Sequence, residues 1–526
     1  MHFVPTSRQA GPLVNANRRS RHFGLAAAGR PPDKRVVSTP PWRTMKTKAS
    51  DGVATGRPAG RPLLLGVCPI GKFVFSHEDA LRQKAAILRE ISRAGVPHCT
   101  LEGVVPDGIV RDQRHVEAVV RCFRQKGVDA LFVPHCNFGT EGAVGMIGRE
   151  LGVPVLLWGP RDGPPLGDGS RLRDSLCGMF ASSKVLRKLG VAFTYLENCG
   201  VTDPEFRKGL SLFLRAASVA KAMRTMRIGQ IGVRVDFFWT TICNESELLE
   251  KFGVQVVPFD MADFLRGVNR RAKADRIRYT RELARMKRGW LDTSALSTEE
   301  GVLAGLAMRD ELFRLGEEHN LDAFSIKSFT SIQEELGSGT GLGDALAQER
   351  YPIGAESDIH GAISSVLIAA AADSAHPSFF PEFTARHPEN DNAVLLWHAT
   401  APPSLRRPGR SRVGFAPPWI LRSLPTSNPQ FRLRDGPLTV CRFDGDTGEY
   451  RLGVGEGRTV PGPRTREFYA WMQVDDWPRW ERAIMEGPYI HHCSAVYEHC
   501  ADALVEACRY IPHLKAQRWD RVPTGD

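Results

Sequence analysis

A chain of 526 residues exceeds what one hydrophobic core organises, so several domains are expected. With 42% apolar and 25% charged residues the composition is that of an ordinary globular protein, which excludes a fibrous or wholly disordered chain. The net charge of +11 points toward nucleic acid until it is located: residues 1–61 hold 12 Lys or Arg against Asp33 and Asp51, so the rest is close to neutral and offers no footprint for a phosphate backbone.

Residues 1–60 are rich in Arg, Pro, Gly and Ser and read as a disordered basic tail. Such an Arg-rich, acid-poor stretch also suits a targeting segment, or lies upstream of a true start at Met45. No run of 18 apolar residues and no signal-peptide pattern occurs, so no membrane partner is expected. The eleven cysteines form no CxxC pair, and several lie in apolar runs, such as Cys68 in LLLGVC and Cys122 in AVVRCF. Buried free thiols in the reducing cytoplasm are expected rather than a disulfide framework.

From Arg61 onward short apolar strands alternate with amphipathic helices. PLLLGVCPI (62–70) reads as a strand, followed by a helix from Ser76 with Glu78 in its first turn. Then come a helix over 113–126, a strand over 130–135, a helix over 141–151 and a strand over 153–159. This alternation predicts a parallel sheet covered on both faces, in an N-terminal α/β domain spanning 61–200. A helix over 204–225 leads into strands at 227–235, 254–259, 322–329 and 351–356, with helices over 269–290 and 298–319, the central α/β domain of 201–375. Beyond that the texture changes: FRLRDGPLTVCRFDGDTGEYRLGVGEGRTV alternates and carries Gly and Asp-Thr-Gly turns, which is antiparallel β-structure. The fold class is therefore α/β: two Rossmann-like parallel α/β domains, then a mixed C-terminal domain (376–526) that closes with a helix over 500–511.

Three polar residues recur in one context. Glu356 closes YPIGAE, Glu382 follows SFFP, and His398 closes AVLLWH, while a His491-His492 pair lies downstream. Ligands of open α/β sheets bind beyond the carboxyl ends of strands. A mixed set of carboxylates and imidazoles suits a hexacoordinate divalent cation such as Mn²⁺.

On these residues the chain resembles the L-fucose and L-arabinose isomerase family. GAESDIHGAIS (354–364) resembles the family segment with a glutamate followed two residues later by aspartate. SFFPEFTARHPENDNAVLLWHATAPPSL (378–405) resembles the segment supplying a second acid and then a histidine, and EGPYIHHCSAVYEHC (486–500) the C-terminal His-His segment. The resemblance implies Glu356 and Glu382 as metal ligands and proton carriers, His492 as a ligand, and His398 as a fourth ligand as in the arabinose branch. It implies a Mn²⁺-dependent aldose–ketose isomerase of a free pentose or deoxyhexose, assembled as a homo-oligomer. The sequence departs from the family at His398-Ala399-Thr400 and at Ser328-Phe329, where relatives often carry His-Cys-Gly and Cys-Trp. These departures bear on which sugar is used. The residue types suit the chemistry, since moving a proton between C1 and C2 through an ene-diol needs a base, an acid and a cation beside the developing oxyanion.

Rival readings are a non-catalytic sugar-binding protein and an isomerase of an unusual, for example sulfonated, sugar. Other signals favour plain structural roles. GSGTGLGD (337–344) lacks the strand and the GK[ST] of a phosphate loop and reads as a flexible loop. His491, His492, Cys493, His499 and Cys500 lack zinc spacing. Asp358 suits either a partner of the metal site or a helix cap. HCNFGTEG (135–142) reads as a helix-capping loop or as part of a neighbouring subunit's substrate pocket.

Overall fold

The computed structural model describes residues 62–373, 376–409, 411–418 and 427–521, so the expected basic tail lies outside the described residues. The N-terminal sheet is parallel, with strands β1 (Leu65–Val67), β2 (His98–Cys99), β3 (Ala130–Pro134), β4 (Val155–Trp158) and β5 (Phe193–Tyr195) in the order β2-β1-β3-β4-β5. Every residue of β1, β3 and β4 is buried, which is why their sequences are continuous apolar runs rather than alternating ones. The first helix, His77–Arg93, is capped as expected: Ser76 Oγ accepts the Asp79 N–H.

The predicted helix at 204–225 is Pro204–Thr225. It leads to a second parallel sheet of β6 (Arg227–Ile231), β7 (Gln255–Phe259), β8 (Ala323–Ile326) and β9 (Ile353–Gly354), ordered β7-β6-β8-β9. Two local expectations change here. The single helix read over 269–290 is two helices, Met261–Ala274 and Arg276–Gly289, broken at Asp275 (φ −106°, ψ 19°). The break lets Phe264 and Val268 of one helix and Tyr279, Leu283 and Met286 of the next reach the same core. Of the glycine-rich stretch read as a flexible loop, residues 337–340 pass through a turn and the rest opens a helix, Gly341–Ala347. Its glycines permit contact with the helix Glu300–Glu318, since a Cβ on Gly343 would lie 2.0 Å from the Gly305 carbonyl oxygen.

The C-terminal part contains β10 (Glu382–His387), β11 (Asn390–His398), β12 (Gly414–Ala416), β13 (Asn428–Arg432), β14 (Pro437–Asp446), β15 (Glu449–Val460), β16 (Phe468–Gln473), β17 (Ser494–Val496) and β18 (Leu514–Arg518). The main path is β10-β11-β16-β15-β14-β17, antiparallel throughout. The predicted Asp-Thr-Gly turn joins β14 to β15: Thr447 and Gly448 both have positive φ, as a two-residue hairpin turn matched to strand twist requires.

The helix Ile359–Ala371 links the last two sheets. Its Ile363 and Leu367 share one core with Ile228 and Ala323 of the central sheet and with Cys441 and Phe443 of β14. The first turn of this helix, and the chain entering it from β9, therefore lie where the two sheets meet. All eleven cysteines are free thiols, and only Cys177 is exposed.

Candidate active site

Glu356 stands two residues beyond β9 in the left-handed region (φ 61°, ψ 28°), and Ser357 follows at φ 60°. Residues with a Cβ avoid that region, and each costs roughly 1–3 kcal/mol unless its surroundings enforce it. Here Ser328 Oγ accepts the Glu356 N–H at 2.8 Å, and Ser357 Oγ donates to the Val233 carbonyl at 3.1 Å. Strain held in this way at consecutive residues marks a turn kept for the placement of a side chain.

Glu382 reaches the same place differently from the sequence reading. SFFP is not a strand. Pro377 and Pro381 bracket it without an N–H to give a ladder, and only an isolated bridge joins Phe379 to Ala495. Glu382 instead opens β10, paired with Trp397 of β11 and bridged to His492. His398 is the last residue of β11, as its sequence position implied.

The four predicted residues converge. His492, 1% exposed, places Nε2 3.3 Å from Glu356 Oε2 and 3.9 Å from Glu382 Oε2. His491 Nε2 lies 3.4 Å from Glu382 Oε2 but is half exposed. Two overlapping sets, Glu356 with His398 and His492, and Glu382 with His491 and His492, each bring their ligand atoms within 4.8 Å of one another. Glu356 Oε2, His398 Nε2 and His492 Nε2 are buried and make no hydrogen bond among the described residues. Buried polar atoms are seldom left so, and Glu356 Oε2 and His492 Nε2 are of the kinds that hold a cation between them.

The orientation of each ring has a cause. His492 Nδ1 donates to Asp358 Oδ2 at 3.0 Å, which turns Nε2 toward the glutamates. Asp358 does both jobs open to it in the sequence, because its Oδ1 also accepts the Gly361 N–H at 2.8 Å and caps the helix Ile359–Ala371. His398 differs: its Nδ1 accepts the Ala399 N–H at 2.8 Å, so the neutral ring carries its proton on Nε2.

Behind these groups lies a charge network that sequence reasoning missed. Arg442 donates to Asp358 at 2.5 and 3.2 Å and to Asp444 at 2.7 Å, and Asp444 lies 2.9 Å from His360 Nδ1. Arg442 is 1% exposed. The signal available was a charged residue inside the apolar run TVCRF, a placement that demands a buried partner.

Electrostatics separates the two glutamates. Burial raises Glu382 to about 7, helped by repulsion from Glu356 and opposed by His492. Burial pushes Glu356 the same way, but its close approach to His492 and the nearby imidazoles outweigh this and hold it below its ordinary value. His492 rises to about 9: burial works against its charge, and Asp358 and Glu356 overcome it. Burial lowers His398 to about 4. Asp358 stays well below the usual carboxylate range, because Arg442 and His492 overcome its burial.

A cavity of about 290 Å³ opens onto the cluster and is lined by Glu356, Glu382, His398 and His491 together with Phe238 and Phe329. A larger cleft of about 1090 Å³, lined by Leu63, Phe206, Leu214 and Val366 among others, holds none of the converging groups. We assign the site to the smaller cavity because the unpartnered ligand atoms are there. HCNFGTEG lies at the end of the N-terminal sheet, where Asn137 Oδ1 accepts the Lys72 N–H at 2.7 Å and Thr140 Oγ1 donates to the Gly71 and Arg111 carbonyls.

Residues 66–224 match the model of the fucose/sulfoquinovose isomerase N-terminal domain, and residues 426–514 match that of the L-fucose isomerase C-terminal domain. The chain is 25% identical over 339 residues to a sulfoquinovose isomerase of Alkalicoccus urumqiensis, covering 64% of this chain and 73% of the relative. It is 22% identical over 456 residues to one of Priestia megaterium (strain ATCC 12872 / QMB1551), covering 84% and 96%. A sulfoquinovose isomerase of Clostridium sp. (strain MSTE9) is 24% identical over 281 residues, or 53% and 61%. The two domain models and these relatives support this chain as a member of the L-fucose isomerase-like family. It is an isomerase of the aldose–ketose class.

Proposed function

We propose that this enzyme is a divalent-metal-dependent isomerase that interconverts a free pentose or deoxyhexose aldose with its ketose through an ene-diol. The observation that carries the reading is that Glu356 and Glu382 line one cavity and both meet His492 behind it, with Glu356 Oε2 and His492 Nε2 buried and without a hydrogen bond among the described residues. These three residues would hold the ion, most simply Mn²⁺ given their mixed oxygen and nitrogen donors. When bound, it would stabilise negative charge developing on the sugar oxygens.

The chain's own groups divide the remaining work. Glu382, poised at about 7, takes and returns the proton that moves between C1 and C2, because a group near the working pH serves in both directions. Glu356, held ionised, keeps the site anionic. His398, with its proton on Nε2, donates a hydrogen bond to a sugar oxygen. To become a fourth ligand it would have to move that proton to Nδ1 and give up the Ala399 contact. Exposed aromatic residues, with Phe73 81% and Trp239 75% accessible, support a homo-oligomer.

The similarity to sulfoquinovose isomerases supports a second reading, a sulfonated sugar as substrate at the same site. The test is ketose formation from a panel of aldoses with Mn²⁺ and with a chelator. Glu356→Gln and Glu382→Gln should each lower turnover at least a hundredfold with the fold intact. Near-normal turnover in either variant, or no response to metal or chelator, would overturn the reading.

A further inference from the structure

The mechanism leaves part of the cavity unexplained. Besides Glu356 and Glu382, two further carboxyl groups line it, Asp344 and Glu467, with Thr340, Thr400 and Asn428 beside them. None of its described lining residues is Lys or Arg. Asp344 accepts hydrogen bonds from Thr400 Oγ1 and Gln348 Nε2. Glu467 is different: it is 2% exposed, and neither carboxyl oxygen has a hydrogen-bond partner among the described residues. Its backbone is also in the left-handed region, at φ 58°, where a glutamate is strained. An unpartnered buried carboxyl group on a strained backbone, in the wall of a substrate-sized cavity, has the marks of a group kept for a ligand.

We infer that Glu467, supported by Asp344, selects an uncharged sugar by accepting a hydrogen bond from one of its hydroxyls, and disfavours a sugar that carries a sulfonate. This rests on the isomerase reading above and narrows its substrate. A hydroxyl satisfies a buried carboxylate, whereas a sulfonate has no proton to donate and adds permanent negative charge to a wall without a described cation. Burial, only partly offset by the nearby Arg466 charge, raises Glu467 to about 7. The discrimination is therefore fullest above neutrality.

The experiment is kcat/KM at pH 8 for paired aldoses, one with a terminal hydroxyl and its counterpart with a sulfonate in that place, using Mn²⁺-loaded wild type, Glu467→Gln and Asp344→Asn. Wild type should prefer the neutral sugar at least a hundredfold. Glu467→Gln should narrow that preference tenfold or more, chiefly through KM and with unchanged metal content. Asp344→Asn gives a second reading should Glu467→Gln fold poorly, with a narrowing of about threefold. Equal or better use of the sulfonated sugar by wild type, or an unchanged preference in both variants, overturns the inference. If no sugar in the panel is interconverted, the isomerase reading fails on its own. Calorimetric binding of the same pairs to the metal-loaded protein still decides the preference, and tighter binding of the sulfonated member overturns it.

Discussion

Asp358→Asn removes one negative charge from a fully buried network and little else. Asparagine is as good a helix cap as aspartate, so the bond to the Gly361 N–H is replaced in kind. What is lost is one of the two carboxylates facing Arg442, the charged acceptor of His492 Nδ1, and the balance between them. Breaking a buried pair from one side typically costs about 3–5 kcal/mol, because the other charge stays buried. Arg442 keeps Asp444 at 2.7 Å, so the lower end, about 3 kcal/mol, is expected. That is a large fraction of a typical stability of about 5–15 kcal/mol. Without its carboxylate partner His492 is also a poorer ligand, and metal affinity should fall about 10–100-fold. Urea unfolding and chelator competition measure the two losses separately. Adding Arg442→Met and Asp444→Asn removes the rest of the buried charge, so the triple variant should recover at least about 2 kcal/mol of stability. It should not recover metal affinity, since His492 still lacks its carboxylate. A single variant as stable as wild type, or a triple variant no better than the single, would refute the reasoning.

Three more outcomes follow from the site. In the metal-free protein His492 is held at about 9 and Glu382 at about 7, and a cation must displace both protons. Affinity should rise about tenfold per pH unit between 7 and 9 and more steeply below 7; a flat profile by calorimetry would contradict this ligand set. Glu467, raised to about 7, binds its proton more tightly folded than unfolded, so its contribution to stability is whole at low pH and lost as pH rises to 7. Glu467→Gln should match wild type near pH 4 and exceed it by about 2–3 kcal/mol at pH 8; equal stability at both pH values in denaturant titrations would count against a buried, strained carboxyl group. His398→Gln should leave metal affinity within about threefold while cutting kcat, as a donor to substrate would; a loss of metal in elemental analysis would make His398 a ligand instead.

Much of the fold could be read from periodicity. Buried parallel strands announce themselves as unbroken apolar runs, and the helix Pro204–Thr225 was bounded to the residue by Pro204 at its start. Where the reading slipped, tertiary contact had overridden local signal. Glycines that look like a loop in GSGTGLGD are the small residues of a tight helix crossing, visible only once Gly343 meets Gly305. Asp275 breaks a helix whose two halves must face one core.

For the site, the sequence alone named the candidates: Glu356, Glu382, His398 and His492 stand out because three short segments resemble those of the family in order and spacing. It could not say what each donor does. That depends on neighbours far along the chain, because hydrogen bonds choose the ring nitrogens and burial shifts the protons. Asp358, 134 residues from His492, turns that imidazole toward the glutamates, while a backbone N–H next door turns His398 into a donor. Glu467 became visible only when the fold buried it against the cavity with no partner, a property of its surroundings rather than of its residue type.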